Sequence, residues 1–229
     1  MKKENYRYKI FIDGEWYVED FTNFLNTYLQ VYYFFNSLFD KEFKIDNERI
    51  DFAYSSFPWQ GGYSAINFYW QLKYAVSKKQ RPKIVAMHFS SPGFIELSLF
   101  PHIADIIAET ILPIAGSIIA ANKTYHKIYS GMQKRDILSI KKKQEETKLL
   151  IDKKILDNLE LDNKLKKEDL EFIKKSNEKL ARILKLDSTV LDQINHKTEH
   201  PYKTLKILLS LYRRIKTLAE NERNRKLKL

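Results

Sequence analysis

The chain has 229 residues, 44% of them hydrophobic and 14% aromatic, enough for one large or two small cores without covalent staples. It contains no cysteine, which excludes disulfides, thiolate metal sites and a cysteine nucleophile. A net charge of +11 points to an anionic partner, either nucleic acid or an anionic membrane, although a bias toward Lys, Asn, Ile, Tyr and Phe from an AT-rich genome would give the same excess.

The amino terminus, MKKENYRYKI, is charged and lacks an apolar signal region, so a cytoplasmic location is expected. Tyr6 to Ile12 alternates and reads as a strand. Asp13-Gly14 is a hairpin signal, with Glu15 to Val18 as the returning strand. A helix is predicted over Asp20 to Phe39, because Phe21, Phe24, Leu25, Tyr28, Tyr32, Phe35 and Phe39 fall at helical spacing on one face. A short strand is expected near Phe43 to Ile45 and a weakly alternating one over Ile50 to Phe57. Pro58 and Gly61-Gly62 break the pattern, and Ser64 caps a helix over Ala65 to Ser77 with Phe68, Tyr69, Leu72 and Val76 inward.

Lys83 to Phe89 is apolar on both faces and reads as an interior strand. It meets a turn at Ser90-Ser91-Pro92-Gly93 and is followed by a strand from Phe94 to Phe100. Pro101 suits the first turn of a helix whose apolar part, 103–121, contains Pro113 as an expected kink. Its longest charge-free run, Thr110 to Ala121, is shorter than the ~20 residues of a membrane span. Composition turns Lys-rich near Asn122, with Gly131 as a break. Apolar spacing then marks helices over Leu149 to Leu159, over Lys166 to Leu186, and from Asp187-Ser188 to about Ile194. The last helix opens at Pro201 and buries Leu205, Leu208, Leu209, Tyr212 and Ile215, leaving a basic, frayed tail. The reading is an α+β protein: a small, mostly antiparallel sheet with packed aromatic helices in residues 1–121, then a basic all-helical part in residues 122–229.

Several patterns invite chemistry. His196 to His200 matches H-x-x-E-H, but Pro201 pushes His200 out of helical geometry, so the segment reads as a loop rather than a zinc site. His102, Asp105 and Glu109 share a helical face that could hold a hard metal or do acid–base work; acids near a helix start are also favoured by its dipole. His88 on an apolar strand is a core histidine or, with partners, a catalytic one. Ser90 and Ser91 lack an identifiable base, and no phosphate-binding glycine loop or G-x-S-x-G element is present. No catalytic residue, metal or cofactor is therefore assigned.

Basic clusters recur at Lys78-Lys79-Arg81, Lys141-Lys142-Lys143, Arg213-Arg214-Lys216 and Arg223-Arg225-Lys226-Lys228. Lys141, Lys142, Lys143, Arg213, Arg214, Lys216, Arg223 and Arg225 are the expected contacts to nucleic-acid phosphates, DNA or RNA. The small-residue stretch holding Ile114, Gly116, Ile118 and Ala120 is the expected surface for self-association or for a partner protein. The unit KIVAMHFSSPGFIEL, leading into that helix, resembles a pattern in small uncharacterised bacterial proteins, some from phage-defence or conflict loci. The resemblance spans Tyr6 to Ala121 with Ser91-Pro92-Gly93 as its core; it implies a defence component and carries no catalytic residue. The expectation is a non-enzymatic, self-associating protein that contacts phosphates. The alternatives are a membrane-active effector inserting 103–121, or an enzyme using His88 or the His102–Asp105–Glu109 face.

Overall fold

The computed structural model of the chain describes residues 7–39, 46–56, 64–78, 81–135 and 167–228. The expected strand at Phe43 to Ile45, the Gly61-Gly62 turn, Lys141-Lys142-Lys143 and the Leu149 to Leu159 helix lie outside them. The described elements are β1 (Arg7–Ile12), α1 (Val18–Phe39), α2 (Asn47–Ser55), α3 (Ser64–Ala75), β2 (Lys83–His88), β3 (Gly93–Ser98), α4 (Pro101–Lys134), α5 (Lys167–Ile183), α6 (Ser188–Thr198), α7 (Pro201–Arg223) and β4 (Leu227–Lys228). The architecture is α+β, with one antiparallel sheet in the order β2-β3-β1-β4.

The chain divides into two compact units. The first comprises residues 1–50, 69–118 and 211–229, and the second residues 51–68 and 119–210. The composition shift near Asn122 lies close to the 118/119 division. The tail, however, belongs to the sheet unit, which a single cut at 121/122 does not capture.

In the sheet unit, β1 and β3 supply the inner face. Ile10 pairs with Ile95 and Tyr8 with Leu97, and Ile10, Ile12, Ile95 and Leu97 are buried. Alternation puts each strand's other side chains on the opposite face. Helix α1 carries the aromatic wall: Phe24, Tyr28, Tyr32 and Phe35 are buried as its spacing predicts, and Val31, Tyr33, Phe34 and Leu38 are buried too. Glu19 and Asp20 occupy its first turn, where acids meet the positive end of the helix. Ile103, Ile107, Ile111 and Ile114 of α4 and Leu211, Tyr212, Ile215 and Leu218 of α7 complete the buried set.

The second unit is helical. Tyr54 and Phe68 meet edge to face at 5.1 Å. Asn177 Nδ2 donates to the Pro201 carbonyl at 2.9 Å, and the Lys203 ammonium, on a nearly fully buried residue, donates to the Ser55 carbonyl at 2.6 Å. Asp187 caps α6 by accepting from Val190 N–H. A Cβ on Gly131 would meet Phe172 Cζ at 2.5 Å, so that glycine allows the ring of α5 to approach α4.

Six sequence expectations are corrected. Asp13-Gly14 does not make a hairpin. The Asp13 carboxylate accepts from Gly14 N–H and from the Ser91 hydroxyl, Asp13 N–H donates to the Lys226 carbonyl, and the chain turns into α1 instead. Ile50 to Ser56, the described part of the expected strand, is not a strand, because Asp46 accepts from Arg49 N–H and starts α2. The frayed tail is strand β4, with Leu227 buried opposite Ile12. The run Lys83 to Phe89 is an edge strand with a bulge between Ile84 and Ala86, and Ile84, Val85 and Met87 are exposed. Helix α4 runs through Gly131, and its non-helical residue is Ser117 rather than Pro113. The Ser117 hydroxyl donates to the Pro113 carbonyl at 2.7 Å, a back-bond that bends helices. By length and composition α4 is the one helix among the described residues long and apolar enough to cross a membrane, yet Ile103, Ile107, Ile111, Ile114 and Ile118 along it are buried inside the protein.

Two predictions follow from this packing. A Cβ on Gly93 would stand 2.6 Å from the Ser90 carbonyl oxygen and collide with that of His88, both backbone atoms that cannot rotate away. Gly93→Ala is expected to lower stability by about 1–3 kcal/mol in urea denaturation. Burial pushes the phenols of Tyr33 and Tyr202 up to about 12. The unfolded chain loses these protons from about pH 10 while the native state keeps them. Stability is therefore full below pH 10 and declines as pH rises toward 12. Phenolate absorbance should show these two groups ionising near pH 12, above the range near pH 10 in which the phenols of the unfolded chain ionise.

Candidate nucleic-acid interface

The outer face of the sheet follows from the strand register. Lys83, Ser98 and Arg7 form one row across β2, β3 and β1; Ala86, Glu96 and Lys9 form the next. The third row crosses all four strands: His88, Phe94, Phe11 and Lys228. Arg7, Lys9, Phe11, Lys83, His88 and Lys228 are exposed. Four cations thus share a face with one carboxylate. That carboxylate, Glu96, is largely buried and lies 3.5 Å from the Arg7 guanidinium.

Aromatic rings interleave with these charges. The Lys9 ammonium sits 4.8 Å from the Phe94 ring centroid, and the His88 and Phe94 rings are 6.0 Å apart. Phe11 is 48% exposed, so its ring is available to a ligand. Beside this end of the sheet the Lys226 ammonium lies 5.6 Å from the Trp16 ring, and Trp16 Nε1 donates to the Asp13 carbonyl. The Ser91 hydroxyl and Gly14 N–H hold the Asp13 carboxyl below the usual range, so Asp13 stays an acceptor in the turn. Trp70 and Tyr74 are exposed on α3, where the half-buried Lys73 places its ammonium 5.3 Å from the Trp70 ring, and Arg81, beyond the helix, lies 5.1 Å from the Tyr74 ring.

The cations singled out in the sequence have separate fates. Arg213, Arg223 and Arg225 are exposed. Lys216 pairs with Glu220 at 3.3 Å. Arg214 is turned inward: its guanidinium stacks 3.9 Å from the Tyr69 ring centroid and Nε donates to Gln30 Oε1 at 2.5 Å. Burial lowers its pKa from the usual value. Lys141, Lys142 and Lys143 lie outside the described residues. Of the residues expected to mediate self-association, Ile114 and Ile118 are buried within the protein, whereas Gly116 and Ala120 are exposed.

The candidate catalytic groups do not converge. His102, Asp105 and Glu109 are each exposed on α4, and His88 stands on the outer sheet face rather than in the core. No group of three or more His, Asp or Glu among the described residues is placed to hold a metal ion. In H-x-x-E-H, the first three residues are the last turn of α6 and Glu199 ends it with φ +59°, so the segment is not a free loop. His196 is exposed, while His200 is buried with Nδ1 accepting from Tyr202 N–H at 3.1 Å, so the two imidazoles do not share a site.

Arg7-x-Lys9-x-Phe11 is visible in the sequence as every second residue of β1, but clusters of cations along the chain do not reveal this face, because a sheet collects them across strands. Arg214 supplies a control for this assignment. Arg214→Lys keeps the charge but loses the planar stack and the Gln30 contact, and should lower stability by about 1–2 kcal/mol in urea denaturation. The chain matches no protein-family model, no curated protein and no solved structure.

Proposed function

We propose that the protein is a non-enzymatic nucleic-acid-binding protein that holds phosphates on the outer face of its sheet. One observation carries this reading: Arg7, Lys9, Lys83 and Lys228 stand on a single exposed face whose one acid, Glu96, is already engaged by Arg7. Phosphate binding needs cations held together on one surface so that several counterions are released at once. Arg223 and Arg225, just before β4, extend the positive region along the chain. In this reading His88 is a contact on the same face and does no chemistry. The protein fits the role of an accessory or effector subunit in antiviral defence, in keeping with the resemblance carried by the strand–Ser-Pro-Gly–strand unit.

Anisotropy of labelled single-stranded and duplex DNA and RNA, titrated across salt, tests the proposal. With four phosphate contacts the single-strand affinity should fall with a log–log slope of about −3. Lys9→Gln and Lys83→Gln should each flatten that slope by about 0.7. Absence of binding at low salt would overturn the reading. So would binding to phosphatidylserine vesicles without binding to any nucleic acid.

A further inference from the structure

We infer that the third row of the sheet face, His88–Phe94–Phe11–Lys228, receives unpaired bases, which makes single-stranded nucleic acid the ligand class. The inference rests on the phosphate reading above and adds what the rings contribute.

The row is built by register. Phe11 is directly opposite Phe94 in the β1–β3 pair, His88 directly opposite Phe94 in the β2–β3 pair, and Lys228 directly opposite Phe11 in the β1–β4 pair. Residues in such positions share one face, and four strands at ~4.8 Å spacing carry the row over about 14 Å. Two phenylalanines therefore share this face, with a histidine at one end of the row and a lysine at the other. Neither phenylalanine is needed for the core, which Ile10, Ile12, Ile95 and Leu97 fill from the opposite face. A half-exposed Phe11 without a ligand leaves apolar area in water for no structural gain.

Charge decides what covers it. A second copy laid face to face would set Arg7, Lys9, Lys83 and Lys228 against one another. An apolar peptide would leave the same cations unanswered. A single strand answers both features, because its phosphates meet the lysines while its bases lie on the rings. A duplex answers only the first. Its bases are stacked on each other and present only their edges in the grooves, so their faces cannot lie on the rings of a strand row. The Lys9 ammonium over the Phe94 ring and Lys228 opposite Phe11 place a cation beside each platform, as a strand with alternating phosphates and bases requires.

The full-length protein is titrated at low salt with labelled oligothymidine and oligouridine of about 12 nucleotides, and with a duplex of the same length. Both single strands should bind more tightly than the duplex. Phe11→Ala and Phe94→Ala should each weaken single-strand binding about tenfold, leaving duplex affinity and the salt slope unchanged. Phe11→Tyr, which keeps a ring, should restore binding, and it serves as the folded control if either alanine variant unfolds. Equal affinity for duplex and single strand, with no effect of the two alanine substitutions, would overturn the stacking inference and leave the phosphate reading standing. Binding to none of the probes would overturn both.

Discussion

Strand β1 imposes the constraint on which the rest of the sheet unit depends. Its six residues alternate between a face that must be buried and a face that must not. Ile10 and Ile12 are fixed against the core, and their pairing with Ile95 and Gly93 sets the register. A slip of one residue would turn Arg7, Lys9 and Phe11 into the core, at a cost no sheet of this size could bear. Core packing therefore determines the outer face. Which cations and rings share each row is fixed by the apolar residues behind them.

The cations of this chain do two kinds of work. Arg214 on Tyr69, Arg135 at 4.2 Å from the Phe172 ring and Lys203 on the Ser55 carbonyl are packing groups that stabilise their own units. A flat guanidinium on an aromatic face is suited to this, since it buries its plane while its edges stay hydrogen-bonded. Lys83 and Lys228 are exposed on the outer sheet face, and Lys9, exposed beside them, sets its ammonium over the Phe94 ring. The total of +11 merges these groups, and only the outward set can meet an anionic ligand.

Much of the scaffold was legible because its signals are local. The aromatic spacing of α1, Pro101 at the start of α4, Asp187 before α6 and the apolar face of α7 were each recovered as read. The errors share a cause. Asp13-Gly14 permits a hairpin, but Lys226 occupies the backbone position a returning strand would take. Both faces of β2 look fit for an interior position, yet β1 and β4 lie on the other side of β3 and leave β2 at the edge. The tail looks too polar to order, but Leu227 is buried and lies opposite Ile12. In each case a partner distant in sequence decided the outcome.

The candidate site divides along the same line. The sequence by itself determined that β1 would offer a basic and aromatic side, because alternation is a property of the strand alone. It also determined the absence of thiol chemistry and the excess of positive charge. Which cations would stand together was decided only by tertiary structure. Lys83, Lys228, Phe94 and Phe11 come from four separate strands, and hydrogen-bonded register between strands, not proximity along the chain, sets them on one surface.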